Sequence, residues 1–360
     1  MAFTGYETIL IIYLSHFLTA DILLLSDIFE QFRKICLEKY KLDPAYYISA
    51  PQLSLDAALK KTNAKLELIS DPAMFSMIDD GIRGGVAMIS KRYARANNPL
   101  VEGYDPGKPR SWIKGFDANN LYGWAMSQYL PLSDFEWVDK EELDKIDWLA
   151  QEDEQAKGYI VKVDMEYPAE LHDFHNDYPL APQRIQVRPE WLSKKMLEIR
   201  ANYKIPRGES STKLIPNLMD KFEYVIHYRN LKFYMQHGLI LRKVHAAIRF
   251  TQAPWLASYI IMNQEARAKA ISDFESDFYK LMNNAMFGKR CENQKKRTNI
   301  QLVQTFQKML DLIAKANFRD VRIFSEDLAA VELQKTQVEI NKPFYVGFTV
   351  LELSKLHMYR

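Results

Sequence analysis

A short segment near residue 280 carries residue types that suit nucleotide binding. In Lys280-Leu-Met-Asn-Asn-Ala-Met-Phe-Gly288, a cation, an amide and an aromatic ring stand at i, i+4 and i+7, which share one face of an α-helix. Lys280 could hold a triphosphate as a mobile point charge, while Asn284 and Phe287 could contact a sugar and a base. The alternative is an ordinary amphipathic helix whose core side consists of Phe274, Phe278, Leu281 and Phe287.

A second segment, Phe116-Asp-Ala-Asn-Asn-Leu-Tyr-Gly123, places a carboxylate five residues ahead of a tyrosine. The sequence predicts a strand at residues 112–117 and the start of a helix at residues 121–128. A carboxylate at a strand end, such as Asp117, suits a ligand for Mg²⁺ or Mn²⁺, and the ring of Tyr122 could lie under an incoming sugar. Equally, Asp117 could start an Asx-turn or cap the next helix. Together the two segments predict nucleotidyl transfer on a nucleic-acid template.

Two basic clusters flank these segments and predict contacts with DNA. Residues 83–95 contain basic side chains around Tyr93 and no acid, and residues 280–297 contain six basic side chains and one acid, Glu292. Basic residues interleaved with aromatics suit a phosphate backbone and a base or sugar, although a solvated face explains such clusters in most proteins. The candidate DNA-binding residues are Arg83, Gly84, Gly85, Lys289, Arg290, Lys295, Lys296 and Arg297.

Composition limits the classes of protein to which the chain can belong. It has 360 residues, 48% hydrophobic content and a net charge of +2, so it can bury a core in two or three compact units. The near balance of charge excludes an overall polyelectrolyte binder. Two cysteines far apart predict a reduced intracellular protein with no disulfide framework and no cysteine-based zinc site.

The strands and helices that must position these residues do not follow a regular βαβ order along the chain, which predicts an α+β fold. We expect strands at residues 82–90 and 158–167, and helices at residues 224–236 and 301–314. Ser272-Asp-Phe-Glu275 fits a capping box, so residues 255–290 are expected to be helical with one break. If the chain reverses there, Arg267 and Lys269 could fold back toward the phosphates held by Lys280. Without a reversal, Lys269 and Lys280 lie roughly 16 Å apart and cannot share a ligand.

The N-terminal region is apolar from Ile9 to Leu25. His16 and Asp21 interrupt this stretch, and it lacks both a basic n-region and a cleavage site. We therefore predict a buried globular helix, with no signal or membrane-spanning segment and no membrane partner.

These residues resemble those of protein-primed family B DNA polymerases, which occur in certain viruses, organelles and mobile elements. Residues 117–123 resemble the first palm motif, in which an Asp is followed by Ser/Asn-Leu-Tyr. Residues 280–288 resemble the fingers motif Lys-x3-Asn-Ser-x-Tyr-Gly. Residues 82–85 resemble the Tyr-x-Gly-Gly segment that touches the template. The three motifs occur in the family's order and spacing, and the resemblance runs along nearly the whole chain.

The resemblance implies a right-hand polymerase palm and fingers, with a DNA template and primer and a dNTP as ligands. Asp117 would bind the catalytic metals, Mg²⁺ or Mn²⁺, and act in catalysis with Lys280. The nucleotide would contact Leu121, Tyr122, Lys269, Lys280, Asn284 and Phe287. A terminal (priming) protein would be a further partner.

The family's domain order divides the chain into six consecutive regions. The resemblance implies an exonuclease-domain remnant and connector at 1–75, three parts of the palm at 76–150, 236–264 and 301–360, a priming insertion at 151–235, and fingers at 265–300. Phe17-Leu-Thr-Ala-Asp21 resembles the third exonuclease motif, Tyr-x3-Asp. One carboxylate cannot hold two metals, so we expect no proofreading.

Several positions depart from the family pattern. Ala285 and Phe287 replace a serine and a tyrosine, and Gly123 replaces a proline. The Asp-Thr-Asp motif that supplies the second metal-binding carboxylate is not found, so we expect a fragment truncated at both ends that polymerises poorly or not at all. The alternative is a non-catalytic DNA-binding protein derived from a mobile-element polymerase. Asp164 and Glu166 share one face of a strand and are interpreted as surface charge.

Overall fold

The computed structural model describes residues 3–91, 93–203, 212–288, 298–335, 337 and 341–360. These residues form helices and antiparallel sheets, which confirms a mixed fold without βαβ units. The chain divides into two compact units. The helical unit comprises residues 1–65, 120–130 and 253–289, and the sheet unit comprises residues 66–119, 131–252 and 290–360.

The helical unit contains five helices within the described ranges. They are α1 (Phe3–Tyr40), α2 (Ala50–Thr62), α4 (Leu121–Met126), α9 (Ala257–Ala268) and α10 (Asp273–Gly288). Helix α10 packs against α2, α4 and α9. Its start follows the predicted capping box, because Ser272 Oγ accepts from the Glu275 amide at 3.2 Å and the Glu275 carboxylate accepts from the Ile271 amide at 3.1 Å. The reversal between α9 and α10 is therefore confirmed.

A buried network of hydrogen bonds fixes the rotation of α10. Asn263 Nδ2 donates to Asn283 Oδ1 at 2.8 Å, and Tyr40 OH donates to Asn263 Oδ1 at 2.7 Å. On the neighbouring turn, Ser54 Oγ donates to the Met282 carbonyl at 2.6 Å. Since buried polar groups are costly unless paired, α10 is held with Asn283 pointing inward.

Helix α1 has two halves with different surroundings. Its C-terminal half packs into the core, where Cys36 is fully buried and the Phe32 ring meets Phe278 edge-on at 5.4 Å. Burial raises the pKa of Cys36 to about 12. Toward the N-terminus, Leu18, Ile22 and Leu25 are 57–67% exposed. The prediction of a buried helix is therefore wrong for residues 17–25, whose side chains are exposed.

Within the described ranges, no helix combines the length and the apolar character that membrane crossing requires.

The sheet unit is built on a four-stranded sheet in the order β1-β6-β2-β5. Its strands are β1 (Leu130–Trp137), β2 (Lys157–Glu166), β5 (Lys221–His227) and β6 (Ile240–Ala253). Strand β2 pairs antiparallel with both β5 and β6. Strand β2 confirms the expectation for residues 158–167. The predicted helix 224–236 is half right, because its first turn belongs to β5 and the helix begins at Tyr228.

The sheet unit also contains helices and a separate two-stranded hairpin. The helices are α3 (Pro72–Gly81), α5 (Lys140–Leu143), α6 (His172–His175), α7 (Lys194–Asn202), α8 (Tyr228–Gln236) and α12 (Phe344–Tyr359), and the hairpin strands are β3 (Gln183–Gln186) and β4 (Thr212–Ile215). Helices α3, α8 and α12 contact the four-stranded sheet. Helix α12 is buried from Phe344 to Leu356 and packs against α3, α8 and β5. Its two buried charges neutralise each other, because Lys355 Nζ lies 2.6 Å from Glu352 Oε1.

A second, three-stranded sheet has its own small core. Its strands are β7 (Thr298–Val303), β8 (Phe318–Ser325) and β9 (Leu328–Gln334), with α11 (Phe306–Ile313) against one face. Val331 and Leu333 of the central strand are buried against Met309 and Leu312 of α11. The predicted helix 301–314 is wrong in its first residues, which form β7.

Two predicted strands are absent among the residues described. Residues 82–89 and 111–118 form neither helix nor sheet ladder. Strand propensity is realised only when a partner strand is present, and neither segment finds one in the described part of the chain.

Candidate functional site

Helix α10 presents its polar residues outward, as the spacing predicts. Lys280 and Asn284 are exposed, while Phe278, Met282 and Met286 are buried on the opposite side. No acidic side chain pairs with the Lys280 ammonium group among the described residues. The alternative interpretation, an amphipathic helix with Phe274 and Leu281 on its core side, fails at these two positions, because Phe274 is 44% and Leu281 48% exposed.

An aromatic pair lies at the C-terminal end of this face. The rings of Tyr122 and Phe287 stack with centroids 4.4 Å apart and an angle of 11° between their planes. Both rings are half-buried, and both belong to the helical unit. The two sequence motifs that predict nucleotide binding, about 160 residues apart, thus meet in direct contact.

The local fold of α4 explains how Tyr122 is positioned. Asn120 precedes the helix with a φ of 54°, a left-handed conformation that asparagine tolerates. Its side chain lies over Gly123, where an added Cβ would clash with Asn120 Nδ2. Ser127 Oγ closes the helix on the Gly123 carbonyl at 2.9 Å. Glycine at position 123 therefore accommodates the Asn120 side chain. Leu121 is half-buried in the first turn.

The reversal before α10 brings Arg267 to its first turn. Arg267 Nε donates to Ser276 Oγ at 3.4 Å, and Ser276 lies one turn, about 6 Å, before Lys280 on the same face. Lys269 is exposed at the C-terminus of α9. The structure thus brings Arg267 toward the face of Lys280, and only the capping pattern at Ser272 signals this arrangement in the sequence.

Asp117 lies in the sheet unit, exposed at the end of the unpaired segment 111–118. The described residues contain no group of three or more His, Cys, Asp or Glu side chains that could hold a metal ion. The carboxylates of β2 have other partners: Asp164 lies 2.8 Å from His245 Nε2, and Glu166 pairs with Arg242. They are surface charges, as expected.

Arg83 is a core residue. It is 7% exposed, its NH1 donates to the Val225 carbonyl at 2.7 Å, and its guanidinium lies 3.7 Å from the centre of the Tyr224 ring. The prediction that Arg83 contacts DNA does not fit this placement, because the guanidinium ties the chain after α3 to β5. Gly84 and Gly85 are exposed, with no atom within 4 Å of an added Cβ.

Five of the predicted DNA-binding residues lie outside the described residues. They are Lys289, Arg290, Lys295, Lys296 and Arg297. Asp21, which the resemblance assigns to an exonuclease motif, is exposed on α1.

Sequence reasoning missed Asn283, which stands beside the predicted Asn284. Asn283 is 4% exposed and bonded to Asn263, so the two neighbouring asparagines of α10 have opposite surroundings. Asn283 stands only three positions after Lys280, so the helical period alone does not separate it from the outward face, and its inward position is set by Asn263 of α9.

No protein-family model and no curated protein matches the chain. Among solved structures, it is similar to Phi29 DNA polymerase complexed with primer-template DNA, with a TM-score of 0.49 and 13% identity, over 89% of this chain and 45% of that chain. For Phi29 DNA polymerase complexed with single-stranded DNA, the TM-score is 0.45 and the identity 14%, over 89% of this chain and 44% of that chain. The chain spans less than half the length of these polymerases.

Proposed function

We propose that the chain is part of a DNA-templated DNA polymerase of the protein-primed family B type, which transfers nucleotidyl groups from dNTP. The observation that carries the proposal is the arrangement within the helical unit. The exposed cation and amide of α10 lie on the helix that also contributes Phe287 to the stack with Tyr122. The cation can hold a triphosphate, and the amide and the two rings can contact a sugar and a base.

Each residue of this arrangement has a proposed role. Lys280 holds the triphosphate, which is a favourable role for an exposed ammonium group without an acidic partner among the described residues. Arg267 assists from the reversal, because its guanidinium already reaches the first turn of α10. Tyr122 supports the sugar and disfavours a ribose, and Phe287 with Asn284 shapes the pocket for the nascent base pair.

The metal requirement of this chemistry is only partly met. Asp117 is an exposed carboxylate of the kind that binds Mg²⁺ or Mn²⁺. Two-metal transfer needs more carboxylates than one, and the part of the chain that the structure describes holds no suitable cluster. The donor set therefore does not fit a complete two-metal centre, and we expect little or no polymerisation by this chain alone.

DNA contacts are proposed at Gly84 and Gly85 and at the basic segment Lys289–Arg297. The two glycines are exposed, and nothing in the described fold requires the absence of a side chain there. Close approach of a nucleic-acid backbone is one reason for glycine at such positions. The palm, fingers and priming-insertion boundaries remain proposals, as does a terminal protein as partner of residues 151–235.

Primer extension tests the proposal. The purified chain is incubated with a primed single-stranded template, dNTP and Mg²⁺ or Mn²⁺, alongside Asp117→Ala. We expect salt-dependent binding of the primed template with little or no extension. Robust extension that is abolished in Asp117→Ala would overturn the inference of an incomplete metal centre while supporting the polymerase assignment.

The incomplete donor set also favours a second candidate, a non-catalytic DNA-binding protein derived from a polymerase. This candidate needs the basic residues but not Lys280 or Asp117. If dNTP does not bind, and if changes at Lys289, Arg290 and Lys295 weaken DNA binding and its salt dependence, this second function replaces the first.

A further inference from the structure

The segment Arg110-Ser-Trp-Ile-Lys-Gly-Phe116 of the sheet unit is exposed at every residue and contains two large aromatic side chains. Trp112 is 57% and Phe116 92% exposed, and Arg110 and Lys114 are also exposed. Scattered exposed aliphatic residues are common in proteins, but a contiguous group of exposed aromatic and apolar residues marks an interaction surface.

The backbone of Asn97 and the side chain of Asn98 anchor the start of this segment. The Ser111 amide donates to the Asn97 carbonyl at 2.8 Å, and the Asn97 amide donates to Ser111 Oγ at 2.9 Å. Asn98 Nδ2 donates to the Ser111 carbonyl at 2.9 Å, and Arg110 Nε donates to Tyr104 OH at 3.3 Å. These hydrogen bonds fix the position of the first two residues of the segment.

Beyond this anchor, the side chains have no role in the described fold. Trp112, Lys114 and Phe116 make no hydrogen bond, ion pair or ring contact with other described residues, and residues 111–118 form no ladder. Folding alone therefore gives no reason for two large aromatic rings at these positions.

The chemistry of the segment matches a nucleic-acid strand. A cation and a ring alternate at every second residue from Arg110 to Phe116, and in extended chain such residues share one face. No acid occurs between Asp105 and Asp117, while three basic residues do: Lys108, Arg110 and Lys114. Proteins that bind single strands combine cations for the phosphates with rings for the bases. An apolar protein partner would not need the interleaved charges.

We propose that residues 110–116 bind single-stranded DNA, with bases stacked on Trp112 and Phe116 and phosphates held by Arg110 and Lys114. This site is separate from nucleotide binding on α10 and requires neither a metal ion nor dNTP. Under the proposed function, it leads a single strand along the chain to Asp117. Tyr93, which is 80% exposed between Lys91 and Arg95, repeats the same alternation in the preceding segment.

The test is the affinity for a fluorescein-labelled oligothymidylate, measured by anisotropy with EDTA and without dNTP. Stacking on an aromatic ring is worth enough that each ring removed should weaken binding roughly five- to hundredfold. We compare wild type with Trp112→Ala, Phe116→Ala and the double variant. Tyr46→Ala is the control, because Tyr46 is also an exposed ring, at 87%, but lies in the helical unit. The expected loss occurs in the segment variants and not in the control.

A second measurement follows the salt dependence of the same binding. Lys114→Gln should lower the slope of log affinity against log salt by roughly 0.7, the value for one phosphate contact on a single strand. Equal affinity of wild type and the double variant would overturn the proposal. So would sedimentation showing self-association that the double variant abolishes while oligothymidylate binding persists, because the surface would then bind protein. Failure of primer extension leaves this proposal unaffected.

Discussion

The two neighbouring asparagines of α10 allow fold and function to be separated by a single pair of variants. Asn283 is buried and accepts from Asn263 Nδ2, whereas Asn284 is exposed. Removing a buried acceptor leaves its donor unsatisfied, which costs about 1–3 kcal/mol. Loss of an exposed side chain changes stability by about 0.5 kcal/mol or less.

We therefore expect Asn283→Ala to lower the free energy of unfolding by about 2 kcal/mol, and Asn284→Ala to leave it nearly unchanged. Binding of a fluorescent dNTP analogue should show the opposite order, with Asn284→Ala weakened and folded Asn283→Ala close to wild type.

The assay is urea denaturation followed by circular dichroism, with analogue binding measured below the unfolding transition. Asn263→Ala is a further control, because Asn263 is the donor to Asn283, and the effects of the two changes should be non-additive. Equal stability of the two variants would refute the assignment of Asn283 to the core. Unimpaired nucleotide binding by Asn284→Ala would refute the assignment of Asn284 to the site.

Three further predictions concern the rest of the structure. Gly123→Ala should destabilise the protein by about 1–2 kcal/mol, because the new Cβ meets the Asn120 side chain; adding Asn120→Gly should restore most of the loss in thermal melts. Burial lowers the pKa of Lys221 to about 7 in the folded protein, which is below the pKa of a lysine in the unfolded chain. Between these two pKa values the unfolded chain binds more protons than the folded protein, so the free energy of unfolding should rise with pH from about 7 to 10. Denaturation at several pH values should show a smaller rise for Lys221→Met. Arg83→Gln should cost about 2–3 kcal/mol through loss of the hydrogen bond to the Val225 carbonyl, while the DNA affinity of the folded variant stays unchanged. A selective loss of DNA affinity would contradict the placement of Arg83 in the core.

Local patterns predict the helical part of the candidate site well. The capping box at Ser272 and the spacing of Lys280 and Asn284 depend on residues within a few turns of one another, and both were confirmed. The same is true of strand β2, whose alternation is strong. Such features can be predicted because the interactions that create them are local.

Features that depend on distant residues were missed or wrong. Arg83 looks like part of a surface cluster, but Val225 and Tyr224 of β5 bury it. Asn283 gains its role from Asn263, on another helix. The predicted strand 112–117 has suitable residues, yet no described strand pairs with it. Pairing partners cannot be deduced from propensity alone.

The most direct test of the central claim is dNTP binding to the exposed face of α10. Affinity for a fluorescent dNTP analogue is measured with Mg²⁺ for wild type, Lys280→Ala and Lys34→Ala, a control that removes an exposed lysine from α1 of the same unit. Since a charged hydrogen bond contributes about 1.5–3 kcal/mol, Lys280→Ala should bind roughly ten- to hundredfold more weakly, and Lys34→Ala should match wild type. Equal affinity of all three proteins would contradict the assignment of this face to the incoming nucleotide.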